Sequence, residues 1–168
     1  MRWLNFLQPN HIANIANIAN IESRIGWNSK RHAQVRCSRG MSADQTDTQL
    51  AAALKARTKR FAIAVIVMCR QFPRSLDAVI VAKQLIKSAT SVAANYRAAC
   101  RTRSPADFVS RISVVAEEAD ESEFWLELTL ESQISDGDRT RRLLKESGAL
   151  TAIFTASRDT AKRNLKKA

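Results

Sequence analysis

Between Thr48 and Lys167 the apolar residues recur at intervals of three and four, and the pattern breaks at only three places: Pro73, Ser104-Pro105 and Asp136-Gly137-Asp138. That spacing is one face of an α-helix, repeated over runs too long for strands. The first run carries Leu50, Leu54, Phe61, Val65, Met68 and Phe72, which predicts a helix over roughly 48–72, stopped by Pro73. Ser75 offers a cap for a second helix reaching about Arg101, with Ala82, Leu85, Ala89, Val92 and Tyr96 in line. Ser104 with Pro105 and Asp107 is a strong helix start. The helix it opens holds Phe108, Ile112, Val115, Ala119, Ser122, Leu126 and Thr129 on one stripe and runs to about Ile134. A fourth places Ser147, Leu150, Phe154, Ser157 and Ala161 in line, with Gly148 as a weak point near its middle. Four long helices on short turns predict an all-α, antiparallel, up-down-up-down four-helix bundle over 48–168, packed at shallow angles.

Residues 1–47 read differently. Residues 11–21 repeat an Ile-Ala-Asn triplet whose recurring Asn weakens any helix. Met41 then opens Met-Ser-Ala-Asp-Gln-Thr-Asp, which has the look of a true start. The expectation is that residues 1–47 precede the bundle, with residues 1–40 either a segment upstream of the natural start or a disordered leader.

The chain carries a formal net charge of +11, of which residues 1–40 contribute six cations against Glu22, and the remainder 21 against 15 acids. The foldable part is therefore basic by itself, a field that attracts nucleic acid or acidic partners without identifying one. Cys37, Cys69 and Cys100 are widely spaced, form no C-x-x-C, and have no His beyond residue 32 to activate them. They read as reduced structural thiols. The longest apolar run, Phe61 to Cys69, is nine residues, half of what a bilayer demands. The expected location is the cytoplasm.

No catalytic set is visible, and the expectation is a non-enzymatic protein without metal or cofactor. A di-iron bundle needs Glu-x-x-His on two helices, whereas Glu118-x-x-Glu121 lacks the imidazole and both His precede the bundle. The second helix aligns Gln84, Ser88, Ser91 and Asn95 beside its apolar face. A carboxylate facing a bundle interior must be bonded, so Glu118 or Glu121 is expected to meet Ser91 or Asn95 in a polar layer. Trp125, one turn beyond Glu121, packs either in the core or in a subunit interface.

Cations also align. Lys83, Lys87, Arg97 and Arg101 share one side of the second helix, and Arg103 follows in the turn. On the fourth, Arg158, Lys162 and Lys166 step by four, with Arg163 beside them. Lys55, Arg57, Lys59 and Arg60 crowd the first helix, and Arg139, Arg141, Arg142 and Lys145 the start of the fourth. Cations at a helix start oppose the macrodipole, so that last cluster favours binding over helix stability. Contact with phosphate would be independent of sequence and sensitive to salt.

Ser91 to Arg97, Ser104 with Asp107 and Phe108, Glu118-Ala119-Asp120-Glu121 leading into Trp125-Leu126, and Thr155 to Lys162 together carry a family likeness. Over about residues 58–167 the chain resembles the four-helix-bundle proteins encoded in intervening sequences of bacterial large-subunit ribosomal RNA genes. It also resembles the related accessory variability protein of diversity-generating retroelements. That family usually has an acidic residue shortly after the Asn, where this chain has Ala98. The resemblance implies a ring-like homopentamer whose basic surface holds structured RNA or DNA and which, in the retroelement branch, works with a reverse transcriptase.

Overall fold

In the computed structural model the chain is described over residues 43–167, with side-chain surroundings from 49 onward. The expected leader lies outside the described residues, apart from its last five positions. Four helices follow in order: α1 Ala43–Cys69, α2 Leu76–Ala99, α3 Pro105–Glu131 and α4 Asp138–Leu165. Neighbours in sequence pack as antiparallel neighbours in space, and α4 returns against α1 to close the bundle. The first helix starts before residue 48 because Ala-Asp-Gln-Thr-Asp holds no Pro or Gly to break it.

The helix ends follow from local chemistry. Pro73 disfavours helical backbone at Phe72, and α1 unwinds through i→i+3 bonds from the Gln71 and Phe72 N–H groups to the Met68 and Cys69 carbonyls. Ser104 caps α3 by accepting the Asp107 N–H at 3.2 Å, with Pro105 in the first turn. Ser75 occupies the cap position of α2 without a side-chain cap bond. Its hydroxyl and the Ala78 N–H instead hold the Asp77 carboxyl below its ordinary range. The third helix stops short of Ile134 because Gln133 takes a left-handed φ of 59°.

The stripes meet as their spacing requires. Leu85, Val92, Val115, Leu126, Leu150 and Phe154 are fully buried, and the Tyr96 and Phe154 rings pack at 5.2 Å between centroids. Hydroxyls that fall on the apolar stripes are absorbed by their own helices. Thr58 donates to the Leu54 carbonyl and Thr129 to that of Trp125, so neither is left unsatisfied. A Cβ at Gly148 of α4 would stand 2.9 Å from the Glu123 carboxylate of α3. Among the described residues no helix is long and apolar enough to cross a membrane.

Candidate nucleic-acid interface

Antiparallel packing divides the nine expected binding cations into groups. The C-terminal ends of α2 and α4 and the turn from Cys100 to Ser104 lie at the same end of the bundle. Arg97, Arg101, Arg103, Lys162, Arg163 and Lys166 are all exposed there. Lys83 and Lys87 share the outward side of α2 with Arg97. They sit about 15–20 Å farther along the helix, at 1.5 Å per residue, and stay on the shaft rather than the end. Arg158 is only half-exposed and its Nε donates to Asp159 Oδ1 at 2.9 Å, so much of its charge is already answered.

Two further cations belong to the basic end. Lys55 lies close enough to the Cys100 thiol, alongside Arg101, to oppose the rise that burial imposes on it. Arg111 is the other, although its Nε is bonded to Asp107 at 3.1 Å. The axial register that brings Lys55 beside the α2 terminus is set by packing and is not written in helix phase. Part of this charge also serves the helices, because Arg97, Lys162 and Arg163 occupy last turns where the macrodipole favours cations. Arg101 and Arg103 lie beyond α2, and Lys166 is at the margin of α4, where that benefit fades.

Other cations have structural duties. Arg57 makes a two-pronged bond to Glu146, Nε to Oε1 at 2.7 Å and Nη2 to Oε2 at 3.0 Å, with both side chains largely buried. It joins α1 to α4, with Glu146 as the second half of the clasp. At the start of α4, Arg139 donates to Gln71 and Arg142 lies 3.9 Å from Asp138.

The expected polar layer does not form: neither Glu118 nor Glu121 bonds Ser91 or Asn95. An interhelical bond instead joins Ser122 of α3 to Ser88 of α2 at 3.0 Å. Asn95 donates to the Ser91 hydroxyl and carbonyl within α2. Glu121 accepts the Trp125 indole N–H at 3.1 Å within α3, and Glu118 keeps one buried carboxylate oxygen without a partner. Trp125 lies half-buried against the core, edge-on to Phe124. Ser88 and Ser122 are both fully buried where α2 meets α3. The sequence places Ser122 on an apolar stripe but Ser88 only beside one, and their pairing is not readable in it.

The thiols and the phenol are held in neutral forms. Burial pushes Cys69 up to about 11 and raises Tyr96 well above its ordinary value, with the neighbouring Cys100 adding to the latter. Such groups are poor nucleophiles at neutral pH. Among the described residues no cluster of three His, Cys, Asp or Glu side chains could hold a metal ion.

The model of the 23S rRNA-intervening sequence protein family matches residues 48–156. Among solved structures, a protein of unknown function from the S23 ribosomal protein family of Bacteroides thetaiotaomicron VPI-5482 is similar, with 24% identity and a TM-score of 0.57. The match covers 62% of this chain and 96% of that one, and it shows the shared fold. No curated protein matches the chain.

Proposed function

The chain belongs to the 23S rRNA-intervening sequence protein family, and we propose that it is a non-enzymatic, self-associating helical bundle that binds structured RNA or DNA electrostatically. The observation that carries this reading is the basic end: Arg97, Arg101, Arg103, Lys162 and Lys166 converge there from two helices and a turn. The nearby acids Asp107 and Asp159 are already engaged by Arg111 and Arg158. A concentration of cations at one end costs self-repulsion unless a polyanion relieves it. Tyr96 is buried, Phe108 packs against the core, and Phe124 and Trp125 lie away from this end, so among the described residues no fully exposed aromatic ring stands there, which favours backbone over base recognition.

The test is the affinity for a structured RNA hairpin as a function of salt. The intact protein is expected to bind at low salt and to weaken steeply as salt rises. Reversing Arg101, Arg103, Lys162 and Lys166 to Glu is expected to cost on the order of tenfold or more, and to flatten the salt dependence. Reversing Lys83 and Lys87 is expected to cost distinctly less. Undetectable binding at low salt, or equal losses from both sets, overturns the reading.

An apolar groove between α1 and α4 favours a second reading, a protein–protein adaptor that docks a partner such as a reverse transcriptase. A stoichiometric partner protein retained through nuclease treatment and high salt would support that alternative.

A further inference from the structure

Two exposed surfaces are left unanswered within the chain. The first is a groove of about 520 Å³ on the outer side of the α1–α4 seam. Leu143 forms its floor, Ile63 and Val67 stand 50% and 39% exposed on its wall, and Arg60, Arg139 and Arg142 rim it. Arg142 is 78% exposed and 3.9 Å from its nearest acid, so most of its charge faces outward.

The second surface is the outer face of α3. Glu117, Asp120, Phe124, Glu127 and Glu131 step by three and four and are all exposed, on the side opposite the buried Ala119, Leu126 and Thr129. Phe124 is 53% exposed at the centre of this strip. Among the described residues, none of its four acids takes part in an ion pair. A basic bundle thus gathers a line of acids around one exposed aromatic ring, and elsewhere presents an apolar groove ringed by arginines. Apolar patches bounded by charge in this way mark contact sites.

We propose that the acidic, Phe124-centred face of α3 docks into the arginine-rimmed α1–α4 groove of a second copy of this chain. The Phe124 ring would fill the groove against Ile63 and Val67, while the flanking carboxylates meet the guanidinium groups, which suit carboxylates in both shape and charge. The two faces cannot meet within one molecule, because they sit on different sides of the bundle. The contact is therefore heterologous. The strip spans about 20 Å, enough for a modest interface that tightens at low salt. The outward strip of α2 that carries Lys83 and Arg97 belongs to neither surface. This inference rests on the self-association in the proposed function and assigns the surfaces that perform it.

The test uses the full chain, freed of nucleic acid by nuclease, with light scattering at micromolar concentration. The intact protein is expected to be a multimer. Arg60→Glu with Arg142→Glu destroys the groove, and Asp120→Lys with Glu127→Lys destroys the strip; each variant alone is expected to associate at least tenfold more weakly. Mixed in equal amounts, they are expected to associate with each other, because one intact strip meets one intact groove and the reversed charges of the other two faces are again complementary. Phe124→Ser, which leaves charge unchanged, is expected to weaken assembly as well. All five positions are exposed, so an unaltered helical circular dichroism signal accompanies each result. A monomeric intact protein overturns both this contact and self-association. A multimer that neither charge variant disturbs overturns the contact alone, as do two monomeric variants that fail to pair on mixing.

Discussion

The two seams that α4 makes, one with α3 and one with α1, differ in how they are closed. Against α3, Gly148 faces the Glu123 side chain, and Leu126, Leu150 and Phe154 are removed from water altogether. Against α1 the fastening is largely polar: Arg57 with Glu146, Thr140 with the Met68 sulfur, and Arg139 with Gln71. Outside those fastenings Ile63 and Val67 stay half in solvent. The lesson is that apolar spacing marks which residues could be buried by the bundle, but closure of a seam decides which are. Apolar side chains left over along an open seam are available to another surface.

The largest expected effect separates the seams by stability. Phe154→Ala removes a fully buried ring packed at a tilt against Tyr96, and is expected to cost about 3–5 kcal/mol. Ile63→Ser is expected to change stability by no more than about 0.5 kcal/mol when urea unfolding is followed at high salt, where contacts between copies are weakened. Comparable losses from the two would mean that the α1–α4 seam is as closed as the other.

An intermediate effect tests the polar fastening. Glu146→Ala takes the counter-charge from Arg57 at a site where both side chains are about 15% exposed, and is expected to cost about 1–2 kcal/mol. Replacing both, Arg57→Met with Glu146→Leu, is expected to recover most of that loss, since neither charge is then buried. A double variant as unstable as the single one would show that the pair does more than answer its own charges.

Helix phase made the architecture legible. Leu54, Phe61, Val65 and Met68, and likewise Leu85, Ala89, Val92 and Tyr96, are buried as their spacing requires. Phase says which side of a helix looks inward, and it is silent about how far one helix slides along the next. Both discrepancies at the site come from that missing coordinate. Ser88 meets Ser122 where a carboxylate of α3 was expected to meet Ser91 or Asn95, and Lys83 and Lys87 lie a helical shaft away from the basic end they share a stripe with. The Arg57–Glu146 clasp escaped notice for the same reason, being made by residues far apart in sequence whose levels coincide only after packing.

Gly148 gives the smallest effect and the finest test of the tight seam. A glycine inside a helix forfeits roughly 0.5–1 kcal/mol relative to alanine through backbone entropy, which is why it reads as a weak point. The seam supplies a competing reason for its presence, since an added Cβ would stand 2.9 Å from Glu123 Oε1. That oxygen is the far end of a flexible side chain and Glu123 makes no bond that would hold it there, so it can swing toward solvent. The entropy term therefore wins, and Gly148→Ala is expected to raise stability by up to about 1 kcal/mol in thermal or urea unfolding. A loss of stability would mean instead that the α3 and α4 backbones cannot part by even a few tenths of an ångström, and that the close approach itself is what keeps this seam shut while its neighbour stays open.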